Sequence, residues 1–239
     1  MQRIVVLNPK GGSGKTTLAI TLAAYFAQRG DQPVLIDHDP QGSAARWVRK
    51  RQAHQPPIHL IAAYENNARV TRSFQLRVPE GAGRVVVDTA AAVEAQRMSE
   101  FTATADKILV PVLPSDIDIH ACTRCISNLL LVAKVKRADN RLGIVANRVK
   151  RNTLMYQALL RFLDTLDVPL VGTLRESQNY IRSAESGLGL HEMKSAQVAE
   201  DTAQWQGILD WLATPSSVPG QGLVPGPVSG VTLAGGLAS

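Results

Sequence analysis

"LNPKGGSGKTTLA" (residues 7–19) decides the fold of this chain. It begins where an apolar run, "RIVVLN" (3–8), ends, and it leads into a Leu- and Ala-rich stretch with helical spacing. A glycine-rich turn between a strand and a helix lets several backbone N–H groups turn inward, and the helix start adds partial positive charge at the same point. The ligand that suits such a cradle is a phosphate chain. Gly11, Gly12, Ser13 and Gly14 form the loop. Lys15 is placed to reach the β- and γ-phosphates, Thr16 to offer its hydroxyl to Mg²⁺, and Thr17 to bond the α-phosphate.

Working outward, the same alternation continues. Apolar runs at 33–37, 58–63, 84–88, 107–112, 142–147 and 169–173 are separated by helical stretches near 43–52, 93–101, 117–137, 153–166 and 177–184, and a last helix is expected over 195–213. Strands this apolar belong in a parallel sheet covered on both faces, so the expected fold is α/β, a single doubly wound, mostly parallel sheet flanked by helices. Residues 1–213 form that domain. From Pro215 the composition turns to Gly, Pro, Ser and Val without charge, and 214–239 reads as a flexible tail.

Of the 239 residues, 45% are hydrophobic and 19% charged, which excludes a disordered chain. No apolar run approaches the roughly 20 residues of a membrane span, and the N-terminus has no signal-peptide layout, so a cytoplasmic location is expected. The net charge of +6 is uneven, because no Lys or Arg follows Lys194. A basic body suggests a polyanionic partner.

Strand ends carry the remaining chemistry. "VLIDHDPQGSA" (34–44) places Asp37 and Asp39 at the sheet's C-terminal edge beside the phosphate loop, "RVVVDTAA" (84–91) ends a strand in Asp88, and "VANRVKRN" (145–152) ends another in Asn147 and Arg148. His38 lies between the two aspartates; the five histidines show no metal-ligand spacing. "CTRC" (122–125) has Cys-x-x-Cys spacing, but lies within a helix candidate and has no second pair.

The loop departs from the usual phosphate-binding pattern, with Pro9 in place of its first glycine and Lys10 before the glycine pair. Here the sequence resembles the deviant Walker A ATPases, the ParA/MinD family, over about residues 1–212, and most of all short ParA-type proteins without an N-terminal helix-turn-helix domain. The resemblance implies a slow, partner-stimulated ATPase with ATP and Mg²⁺ as ligands. Two copies form a homodimer around two ATPs, and Lys10 reaches the partner's nucleotide. Asp37 lies near Mg²⁺ and the switch region, Asp39 orients the attacking water, Asp88 holds Mg²⁺, and Asn147 with Arg148 contacts adenine. Thr89-Ala90-Ala91 stands where the family more often has Asp-Thr-Pro or Asp-Gly-Ala.

It further implies a nucleoid-associated protein whose ATP-bound dimer holds double-stranded DNA without sequence preference and positions a cargo. That cargo is a plasmid, a chromosome region, or a protein complex or microcompartment such as a carboxysome, with a ParB-like or adaptor protein stimulating hydrolysis. Candidate DNA contacts are the basic cluster Lys134, Lys136, Arg137, Arg141, Arg148, Lys150 and Arg151, with Arg161, Arg175 and Arg182 in the late helices. Two relatives compete. A MinD-like membrane role needs a basic amphipathic C-terminal helix, whereas the last helix here is acidic and its apolar residues are expected to pack on the core. An iron–sulfur carrier would need Cys122 and Cys125 of two copies around one cluster.

Overall fold

β1 (Gln2–Val6) alternates strictly, Ile4 and Val6 toward one face and Val5 and Leu7, just past its end, toward the other, and all four are fully buried. A strand covered on both faces must sit inside a sheet, and β1 does. The computed structural model describes residues 1–65 and 76–216, and within these β1 lies at the centre of seven strands. The others are β2 (Val34–Asp37), β3 (His59–Ala62), β4 (Arg84–Asp88), β5 (Lys107–Val112), β6 (Leu142–Val149) and β7 (Leu170–Arg175). Their order is β3-β2-β4-β1-β5-β6-β7, and every pairing is parallel. The order reverses at β1, which opens a crevice at the C-terminal edge where ligands of such sheets bind.

One face is covered by α1 (Lys15–Gln28) and α2 (Ser43–Lys50), with α6 (Gln178–Glu185), α7 (Ser195–Ala203) and α8 (Gln206–Ala213). There Leu18, Leu22, Phe26, Trp47, Trp205 and Ile208 pack on Ile4, Val6, Leu35 and Val86. The opposite face carries α3 (Ala95–Ala103), α4 (Asp116–Leu131) and α5 (Leu154–Asp164), whose Met98, Phe101, Cys125, Leu129 and Leu159 meet Val5, Ile36, Val87 and Val110. Each fully buried aliphatic side chain contributes about 1.5–3 kcal/mol, so the two cores hold the crevice rigid. Ser115, Thr153 and Ser177 cap α4, α5 and α6 by accepting from the amides of Asp118, Tyr156 and Asn179.

Two helix readings need correction. The expected single helix over 195–213 is two, broken at Gln204–Trp205, where the Trp205 amide bonds three residues back to Thr202 at 3.0 Å. The helix expected to reach 137 ends at Leu131, and Lys134 beyond it adopts a left-handed φ of 54°. The apolar residues of the last helices do pack inward: Trp205 and Ile208 are fully buried and Leu212 nearly so. Of the segment read as a tail, residues from 217 lie outside the described residues.

At the N-terminal edge, opposite the crevice, the buried Lys107 ammonium donates to the Asn140 carbonyl (2.8 Å) and the Thr214 hydroxyl (3.1 Å) and lies 4.3 Å from the Trp211 ring. The Trp211 indole N–H donates to Asn140 Oδ1 at 2.9 Å. This clasp fastens the chain after α8 to the base of β5 and β6.

Candidate nucleotide-binding site

The phosphate loop leaves β1 and enters α1 directly. Gly12 and Gly14 hold φ of 76° and 97°, a region that favours glycine. A Cβ on Gly14 would lie 2.1 Å from Asn147 Nδ2, so the position needs glycine for space as well as conformation. Lys15 opens α1 and is buried; its ammonium donates to the Lys10 carbonyl at 3.1 Å, over the loop. Burial lowers its pKa, against the opposing pull of Asp88 and Asp39.

β2 and β4 pair in register through Asp37 and Asp88, so both acids reach the crevice together. Asp88 is fully buried, and neither oxygen has a hydrogen bond of ordinary geometry among the described residues. Desolvation pushes its carboxyl up to about 7; the Thr16 hydroxyl and Lys15 pull the other way, while Asp37 and Asp39 add to the rise. A buried carboxylate without a hydrogen bond of ordinary geometry, beside a threonine hydroxyl, offers the oxygen donors that a hard divalent cation takes, so Asp88 and Thr16 fit Mg²⁺. Asp37 is engaged differently: Oδ1 accepts from the Asp39 amide and Oδ2 from the Ala45 amide, both at 2.9 Å. It shapes the β2–α2 turn, and a metal contact there would compete with these bonds. Asp39 is partly exposed, and its Oδ1 accepts from the Gln41 amide at 2.9 Å.

Lys10, expected to serve a partner's nucleotide, is held within its own chain. Its ammonium lies 2.6 Å from Asp118 Oδ2, with the lysine side chain 31% exposed and the aspartate 4%. The same oxygen accepts from the Ser115 hydroxyl. Asp118 is 108 residues away in the chain and belongs to none of the motifs that point to the site. The signal was Ser115 three residues before it, a helix cap directly after a strand end.

Asn147 sits on the rim, but both ends of its amide are in use: Nδ2 donates to the Ser13 carbonyl at 2.9 Å, and Oδ1 accepts from the Arg148 amide at 3.0 Å. It braces the loop, and any base contact must displace these bonds. Beside it opens a cavity of about 540 Å³ lined by Thr17, Ile20, Trp47, Arg148 and Tyr180 among others, large enough for a nucleoside. Trp47 and Tyr180 were not anticipated, since only the fold brings α2 and α6 to α1.

The basic cluster is not one surface. β6 runs through it, so Lys134, Lys136 and Arg137 lie near the N-terminal edge and Lys150 and Arg151 near the C-terminal edge, roughly 25 Å apart along an eight-residue strand. One member of the cluster and one of the late-helix candidates stand elsewhere than expected. Arg141 is buried and donates to the Ala105 and Thr102 carbonyls. Arg175 ends β7 rather than lying in a helix, and is paired with Asp201 (2.5 Å) and Glu200. Lys150 pairs with Glu176 at 3.1 Å, while Arg161 and Arg182 are exposed on α5 and α6. Cys122 and Cys125 are fully buried beneath the sheet, with the Cys122 thiol pushed up to about 12 by desolvation. A cluster shared between two copies needs thiolates at a surface, so this pair does not fit one.

A parallel sheet with a phosphate loop after its central strand, two acids on neighbouring strand ends and a nucleoside-sized cavity define a P-loop nucleotide-binding protein. The chain belongs to the family described as the CobQ/CobB/MinD/ParA nucleotide binding domain, which matches residues 4–190, and it is an ATPase of that family. It is 28% identical over 196 residues to the maintenance of carboxysome distribution protein A of Halothiobacillus neapolitanus, covering 80% of this chain and 87% of that one. The fold superposes on apo McdA from Cyanothece with a TM-score of 0.70 at 15% identity, over 89% of this chain and 99% of that one. It superposes on a plasmid partition protein of Borrelia burgdorferi B31 bound to AMPPNP with a TM-score of 0.65 at 15% identity, over 87% and 98%.

Proposed function

We propose that this chain is a positioning ATPase that closes into a dimer on ATP and Mg²⁺, holds DNA without sequence preference in that state, and releases it when a partner protein stimulates hydrolysis. The observation that carries the reading is the pair of lysines on one loop. Lys15 is buried over its own phosphate cradle, while Lys10 stands partly exposed at the rim on a carboxylate it can exchange for a partner's phosphates. The likeness to a carboxysome distribution protein favours a protein-bounded cargo over a chromosome.

Each residue has a definite task in this scheme. The loop amides and Lys15 bind the phosphates, and Thr16 and Asp88 would hold Mg²⁺, which neutralises charge on the phosphates when bound. Asp39, partly exposed at the tip of its turn, orients water in line with the γ-phosphate, a step that depends on positioning more than on basicity. No helix among the described residues is long and apolar enough to cross a membrane, and a cytoplasmic, nucleoid-associated protein accords with the proposal.

Retention on random-sequence duplex DNA at one fixed salt concentration, with ATP, with ADP and without nucleotide, tests it. Binding with ATP alone is expected, with a steep loss as salt rises. Equal binding in all three conditions would refute the coupling.

A further inference from the structure

Asp39 is fixed to its own strand from below, through its amide on Asp37 Oδ1, and to the turn ahead through Gln41 and Gly42. The residue between the two acids, His38, joins this turn to the neighbouring strand and to a helix beyond it. The His38 amide prolongs the β2–β4 pairing by donating to the Asp88 carbonyl at 2.9 Å, and the His38 ring then leaves the sheet and packs edge-on against Phe101, with centroids 4.8 Å apart and planes at 74°.

Phe101 is 7% exposed on α3, the helix that follows the Asp88 strand. The loop leading to α3 is tied to the phosphate loop, since the Ala92 amide donates to the Pro9 carbonyl at 2.6 Å and Ala92 holds a left-handed φ of 57°. α3 and the loop that leads into it therefore touch both halves of the site, the loop meeting the phosphate loop through Ala92 and the helix meeting the turn of Asp39 through Phe101. We propose that His38 is a positioning residue for hydrolysis: its ring contact with Phe101 holds the turn that carries Asp39, so that the seating of α3 sets the turnover rate. A partner acting on α3 would then change hydrolysis without touching nucleotide. This rests on the reading of Asp39 as the residue that orients water.

The test compares single-turnover ATP hydrolysis and ATP affinity in the wild type, Asp39→Ala, His38→Ala, His38→Phe, Phe101→Leu and the His38→Ala/Phe101→Leu double variant, with thermal unfolding as the control for folding. Loss of one aromatic contact predicts about a three- to tenfold drop in turnover for His38→Ala and for Phe101→Leu, with ATP affinity held within about twofold. The double variant should fall no further than the lower single, and His38→Phe, which keeps the ring, should recover most of the rate. A merely structural role would instead lower stability and affinity together. Wild-type turnover in His38→Ala alongside a slow Asp39→Ala overturns the positioning role alone, as does a His38→Phe as slow as His38→Ala or a multiplicative loss in the double variant. Wild-type turnover in Asp39→Ala overturns the reading beneath it, and this inference with it.

Discussion

Gly14 shows how narrow the tolerance is at the scale of a single residue. A methyl group there meets Asn147 Nδ2 at 2.1 Å on a backbone already at φ 97°, so Gly14→Ala should lower ATP affinity by about tenfold or more, measurable by titration with a fluorescent ATP analogue. Asp39→Ala should bind ATP as the wild type does and hydrolyse it about 100-fold more slowly. His191 gives a pH prediction away from the site. Its ring packs between Tyr25 and Trp205, and burial lowers its pKa to about 4, with the Glu192 charge opposing. The unfolded chain takes up this proton near pH 6.5 and the folded chain only near 4, so the stability it contributes is present above 6.5 and lost as pH falls through that window. His191→Phe should abolish that part of the acid loss, on the order of 3 kcal/mol, in urea titrations at pH 7 and pH 4.

Among elements, β1 to β7 were legible because each is an apolar run bounded by turn residues, most plainly in β1, β2, β4 and β5, whose residues are buried almost throughout. The division between α7 and α8 was not. Gln204 and Trp205 suit a helix locally, but Gln204 Oε1 accepts from the Arg175 amide at 2.7 Å and the Trp205 indole donates to the Tyr180 hydroxyl at 3.0 Å, and those tertiary bonds break the helix. Site chemistry divided in the same way. The loop, Asp39 and Asp88 are local signals at strand ends, whereas the Asp118 bond to Lys10 arises only once α4 is packed against the loop. Asp118→Asn should weaken that hold and let ATP-driven dimers form at a severalfold lower protein concentration, as read by sedimentation velocity; a higher requirement would show that Lys10 need not leave. The Arg51–Glu192 pair, 6% and 5% exposed, ties the end of α2 to the turn before α7. Glu192→Ala strands a buried guanidinium and should destabilise the chain by about 3–5 kcal/mol with ATP affinity unchanged, measured by denaturant titration.

For the whole molecule, the sheet separates two edges. The C-terminal edge carries Lys10, Asp39 and Asp88 and is where the proposed dimer would close; the N-terminal edge carries Lys134, Lys136 and Arg137. Charge reversal at Lys150 and Arg151 should therefore disturb dimer formation, while reversal at Lys134 and Lys136 should lower ATP-dependent DNA retention and leave the dimer intact. Retention at the wild-type level in the second variant would remove that edge from DNA binding. The clasp of Lys107, Asn140 and Trp211 has a practical use in telling these events apart. Ser216 lies close to it, and both native thiols are buried. A Ser216→Cys variant should thus accept one fluorophore per chain without removal of the native cysteines, at the pole remote from the nucleotide. Two such dyes in a closed dimer would face outward in opposite directions, so energy transfer between copies would report crowding on a shared cargo or duplex rather than closure itself.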